Sequence, residues 1–178
     1  MGVKYKNNSL RARWWDYSTA ASYFITICTK DKVPFFGEVV NGEMKLSLIG
    51  EIVNEEWVRT ADIRSRMKLE LHNFIVMPDH FHALITIGTT EFNDKDSYLD
   101  ELGNFKNNAF KPQSNNLGSI IRGFKSAVTM RCKLKGYPFC WQSRYHDVII
   151  KDLKQFENVQ QYILENPRRH AMRRVPTT

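Results

Sequence analysis

Residues 69–87 read LELHNFIVMPDHFHALITI. Two runs rich in β-branched and aromatic residues flank Pro78-Asp79, a pair suited to a turn. They predict strands over 69–77 and 80–87, joined as hairpin neighbours. A chain containing this stretch must build a sheet around it. The second run begins His80-Phe81-His82. Successive side chains on a strand alternate between faces, so both imidazoles point the same way.

The flanking sequence supplies the rest of an α+β domain. Residues 22–29, SYFITICT, predict another strand. Residues 35–46 contain Asn41-Gly42, a strong hairpin signal. Leu48, Ile49, Ile52, Val53 and Trp57 recur at helical spacing over 48–64. Residues 88–116 are polar and without period, which predicts an exposed, mobile loop. Over 117–135, Leu117, Ile120, Ile121, Phe124, Val128 and Cys132 form the buried stripe of a helix, with Asn116 as N-cap and Gly136 as its stop. Arg122, Lys125, Thr129 and Lys133 share an adjacent face. Residues 145–151 predict a strand. Asp152 and Gln155 then resemble a capping box that opens a last helix. Leu153, Phe156, Val159 and Ile163 would face the core, and Pro167 would end the helix. Residues 168–178 would form a basic, frayed tail. The expectation is one domain over 1–178, an antiparallel sheet with helices packed on it.

Charge narrows the function classes. The 178-residue chain has a net charge of +7. Residues 1–116 hold 14 Lys and Arg against 15 Asp and Glu, whereas residues 117–178 hold 12 against 4. A concentrated basic region meets polyphosphate or forms a solvated basic face. Cys28, Cys132 and Cys140 are odd in number and lack metal-finger spacing, as in a reduced protein. The opening MGVKYKNNSLRARWW lacks the apolar run of a signal peptide, and Lys6 stands where a myristoylation signal needs Ser or Thr. No apolar run approaches the roughly 20 residues of a membrane span. The expectation is a cytoplasmic protein with no membrane partner, whose basic charge points to nucleic acid.

Paired imidazoles on one face are good ligands for a divalent metal, although an isolated His-x-His is more often incidental. A structural zinc site would want cysteines at finger spacing. A longer alternating histidine run would need a third histidine at position 84, which is Leu84. A two-histidine phosphoesterase would need a second His-x-Thr-like motif, and none is present. The last helix offers a further pair. Tyr162 and Asn166 stand at i and i+4, so a phenol and an amide project together from one side of it.

Taken in order, MPDHFHALI, a basic amphipathic helix, CWQSRYHD and YILENP resemble the single-tyrosine transposases of the His-hydrophobe-His (HUH) nuclease superfamily, particularly the REP-associated tyrosine transposases. The resemblance spans roughly residues 20 to 170. It implies a ferredoxin-like HUH nuclease fold. It also implies a divalent metal, Mg²⁺ or Mn²⁺, held by His80, His82 and Asn166, with Phe81 turned to the core and Tyr162 as nucleophile. The activity implied is cleavage and rejoining of single-stranded hairpin DNA through a 5′-phosphotyrosine, by an enzyme that is often a homodimer. Arg122, Lys125, Lys133 and Arg144 would contact the phosphate backbone, extended by Arg168, Arg169, Arg173 and Arg174. Tyr137 and Tyr145 rank below Tyr162, since neither has an amide four residues on. Trp141-Gln142 is expected to anchor the fold. Two alternatives stand beside this one: a domesticated relative that binds structured DNA as a regulator without cutting it, and a replication-initiator nuclease, whose chain is usually longer.

Overall fold

The computed structural model describes residues 15–90 and 115–173. Most of the expected loop, residues 91–114, lies outside the described residues, as do residues 1–14 and Arg174. The elements run β1 (Ala21–Cys28), β2 (Gly37–Val40), β3 (Glu43–Leu46), α1 (Leu48–Ile63), β4 (Leu69–Val76), β5 (His80–Ile87), α2 (Leu117–Leu134), β6 (His146–Ile149) and α3 (Leu153–Arg173). Four strands form one sheet in the order β4-β5-β1-β6, with every neighbouring pair antiparallel. Strands β1 and β4 are therefore parallel, separated by β5 and joined through α1. Strands β5 and β6 are likewise parallel, separated by β1 and joined through α2. Two interleaved split βαβ units are the ferredoxin-like arrangement. The β2–β3 hairpin is an insertion between β1 and α1. Asn41 (φ 53°) and Gly42 (φ 79°) make the turn its sequence announced.

Alternation along β5 sorts the core. Phe81 faces the layer of α1 and α2, where its ring meets Trp57 (centroids 5.0 Å apart) and Phe124 (5.3 Å). Trp57 and Phe124 themselves lie 5.1 Å apart, edge to face. All six apolar residues expected on the α2 stripe are buried. At its start, the Asn116 side chain accepts from the Ser119 N–H while the Ser119 side chain accepts from the Asn116 N–H, a reciprocal cap. Gly136, at φ 70°, follows the last turn. Trp141 anchors the fold as expected: it is buried, packs on Phe36 and Phe139, and donates its indole N–H to the Lys125 carbonyl at 3.2 Å.

Helix α3 covers the opposite face of the sheet, across β4 and β5. A β-bulge between Leu71 and Phe74 aids its docking. The extra residue lets His72 and Asn73 both turn toward α3. The His72 ring meets Phe156 edge-on at 4.9 Å, and the Asn73 side-chain oxygen accepts from the Gln160 amide at 3.1 Å.

Three expectations at this helix need correction. Pro167 does not end it: α3 continues through the proline to Arg173, so residues 168–173 are helix rather than tail. The proline removes one backbone donor and crowds the Ile163 carbonyl. Tertiary burial outweighs that local cost, because Ile163, Asn166 and Pro167 are all buried and the following turn meets the β2–β3 hairpin beside Gly42. Leu153 does not face the core; it is 71% exposed. The Asp152 carboxylate accepts from the Gln155 N–H, but Gln155 reaches back to the Lys151 N–H instead of completing the reciprocal pair.

Removing the largest ring should collapse the layer under β5. Trp57→Ala is expected to cost about 3–5 kcal/mol of unfolding free energy in urea titration. Trp57→Phe should cost clearly less, since it keeps a ring and removes an indole N–H that has no hydrogen-bond partner among the described residues.

Candidate active site

The face of β5 opposite Phe81 carries His80 and His82, whose ring centroids lie 4.6 Å apart. Strand pairing sets Thr26 directly across from His82, and the Thr26 hydroxyl lies 2.9 Å from His82 Nδ1. Asp79, the residue before β5, meets His80 Nδ1 at 2.6 Å. Each imidazole is thus held through Nδ1, which leaves Nε2 for other business. The His82 ring is covered by Phe24 (5.2 Å) and Tyr162 (5.4 Å), and these two rings meet each other edge-on at 5.9 Å.

The Tyr162 hydroxyl lies 3.5 Å from His82 Nε2, at the long limit of a hydrogen bond. Phenol and imidazole belong to the same chain. Asn166 follows one turn later on the same side of α3 and is 7% exposed. Its side-chain amide finds no hydrogen-bond partner among the described residues. Arg169 lies over the Tyr162 ring, 5.8 Å from its centroid, and is bridged to Glu165 at 2.6 Å. Gln161 donates to the other Glu165 oxygen.

By donor type, His80, His82 and Asn166 are residues that could hold a divalent cation. Two imidazoles and one amide oxygen are neutral donors, and three such ligands would leave positions for phosphate and water oxygens. Among the described residues no three His, Cys, Asp or Glu side chains gather at a possible metal site. A cation here would therefore depend on Asn166 and on oxygens from outside the chain.

The structure divides the other expected residues. Tyr162, His80 and His82 come together, Arg169 lies over the Tyr162 ring, and Asn166 stands one turn further along α3. Arg122 and Lys133 are exposed on α2, in the helix layer on the far side of the sheet from the imidazoles. Lys125 donates to the carbonyls of Gln142 (2.5 Å) and Ser143 (3.3 Å), and burial lowers its pKa. It ties down the segment before β6, on which Arg144 is exposed. Arg168 is exposed at the end of α3 near the β2–β3 turn. Tyr137 and Tyr145 pack against the core. Sequence reasoning passed over Asp79 and Thr26. Asp79 could have been suspected from its place beside His80. Thr26 could not, because only strand register brings it to His82.

His82 is 5% exposed. Burial, reinforced by repulsion from His80, pushes its imidazole down to about 3. An unfolded chain takes up this proton near pH 6.5. The group therefore favours folding fully above about pH 6.5, and stability falls as the pH drops from there toward 3, by about 1.4 kcal/mol per pH unit. Between pH 7.5 and 5, urea-derived stability of the chelator-treated protein is expected to fall by about 2 kcal/mol more than that of His82→Gln. Equal losses would mean that the imidazole is not held neutral.

No family model matches the chain. A Haemophilus influenzae protein, named only as uncharacterized, is 31% identical over 160 residues, which cover 89% of this chain and 87% of the relative. Among solved structures, a REP-associated tyrosine transposase bound to a REP hairpin superposes with a TM-score of 0.59 at 17% identity, covering 91% of this chain and 74% of that one. No helix among the described residues is long and apolar enough to cross a membrane. The chain belongs to one family with the Haemophilus influenzae protein, and its fold is that of a REP-associated tyrosine transposase.

Proposed function

We propose that this protein is a transposase-like DNA strand-transfer nuclease that cuts and rejoins single-stranded hairpin DNA with Tyr162 as nucleophile. The observation that carries the reading is the 3.5 Å approach of the Tyr162 hydroxyl to His82 Nε2, on a helix that also carries Asn166 one turn further on. The solved transposase of like fold is bound to a REP hairpin, which supports a hairpin as the substrate class.

His80 and His82, through Nε2, and Asn166, through its amide oxygen, would hold Mg²⁺ or Mn²⁺. The cation would supply charge stabilisation at the scissile phosphate and at the departing oxygen. The protein groups do the rest. The Tyr162 oxygen attacks phosphorus, losing its proton as the new O–P bond forms; a free phenol holds that proton up to about pH 10, so cationic surroundings help. The P–O bond to the 3′-oxygen breaks, which leaves a free 3′-hydroxyl and a 5′-phosphotyrosine. The covalent linkage retains the phosphodiester bond, so rejoining needs no ATP. Arg169, over the Tyr162 ring, is placed to meet backbone phosphate, and Arg168 and Arg144 could extend the contact. Arg122 and Lys133 could serve only DNA that wraps round to the far side of the sheet. Because one chain supplies both phenol and imidazoles, the expected homodimer would hold two complete sites.

Incubation with hairpin DNA and Mg²⁺ or Mn²⁺ should yield a slow-migrating covalent adduct on a denaturing gel. Tyr162→Phe should abolish it and leave DNA binding intact, while His80→Ala should reduce it strongly. An adduct that survives Tyr162→Phe assigns the wrong nucleophile. Binding with no adduct from the unaltered protein would favour the non-cleaving regulator.

A further inference from the structure

Beyond the last paired residues of β4 and β5, the Met77 N–H donates to the His80 carbonyl at 2.8 Å, which leaves Pro78 and Asp79 as a two-residue turn. Two-residue hairpins prefer turns with positive φ, whose twist matches that of the strands. Neither Pro78 nor Asp79 has positive φ. The turn is braced from outside instead. The Phe36 N–H donates to the Pro78 carbonyl at 3.0 Å, and the Thr29 N–H donates to the Asp79 carbonyl at 2.9 Å. The Thr29 hydroxyl, its proton shared with the Val33 carbonyl, lies 3.0 Å from the same Asp79 oxygen. Thr29 is fully buried. Every brace grips backbone, so the Asp79 side chain is left to engage His80 Nδ1 at 2.6 Å. A carboxylate only accepts, so in the neutral ring Nδ1 carries the proton and Nε2 keeps its lone pair. His82 differs: its Nδ1 meets the Thr26 hydroxyl, which can donate or accept, and the Ile25 backbone also hydrogen-bonds the ring.

We propose that Asp79 is a positioning residue: from a turn braced off its preferred geometry, it holds His80 as the Nδ1–H tautomer and aims Nε2 at the cation. The part concerning the cation rests on the function proposed above; the part concerning the tautomer does not. Outer partners of this kind set ligand orientation, and their loss typically weakens metal binding by about 10–100-fold. The braces reach the Asp79 carbonyl rather than its side chain, so substitution at this position spares them.

Two measurements on the full chain test the assignment. In metal-free, ¹⁵N-labelled protein, His80 is expected to show a protonated Nδ1 and an unprotonated Nε2, with resonances identified through His80→Gln. Asp79→Ala should give mixed tautomers at His80 and leave His82 unchanged. In Mn²⁺ titrations followed by water-proton relaxation, Asp79→Ala should raise Kd by about 10–100-fold, and Asp79→Asn, which keeps an acceptor oxygen, by less. A His80 proton on Nε2 in the unaltered protein overturns the assignment, as does an Asp79→Ala variant with unchanged tautomer and Kd. If the unaltered protein binds no Mn²⁺, the metal reading fails, and the tautomer shift alone decides the role of Asp79.

Discussion

The docking of α3 across β5 is the contact on which the candidate site depends. It buries His82 between Phe24 and Tyr162 and sets the phenol against the imidazole. A helix turns about 100° per residue, so a slip of one position along α3 would carry Tyr162 off the sheet. Fixed contacts oppose that slip. The bulge in β4 aims Asn73 at Gln160, and His72 supports Phe156. Past Pro167 the helix runs on to the β2–β3 hairpin. The inserted hairpin and the tolerated proline thus share one consequence: α3 is held at both ends, with Tyr162 between.

The sheet beneath is stiff because β5 is covered on both faces. Residues Phe81, His82, Ala83, Leu84 and Ile85 are all buried. Phe81 is locked from below by Trp57 and Phe124, and this fixes the strand that carries both histidines. Sites built on packed strands hold their geometry better than sites on loops. Electrostatics divides the site in the same way. The interior is neutral, with His82 kept unprotonated by burial, whereas formal charge gathers at the rim in Glu165, Arg169 and the Asp79 carboxylate. An uncharged imidazole retains the lone pair that a cation needs.

Local patterns spoke plainly wherever one element's own chemistry was decisive. The α2 stripe, the Asn41-Gly42 turn and the alternation of His80, Phe81 and His82 each follow from periodicity or a single dihedral preference, and each appears in place. The same logic failed at Pro167 and Leu153. There the outcome hung on what α3 meets, and a helix rule cannot weigh a lost hydrogen bond against burial that it does not see.

By itself, then, the sequence determined the kinds of element, their order, and which side chains share a face, since these are properties of neighbours along the chain. It also placed Tyr162 four residues before Asn166 and two imidazoles on one strand. The tertiary structure decided what meets across elements: the β4-β5-β1-β6 order, Thr26 opposite His82, Asp79 turned onto His80, the reach of α3 past its proline, and the separation of the α2 basic face from the imidazoles by the thickness of the sheet. Those relations arise from packing between segments dozens of residues apart, and no short window of sequence contains both partners.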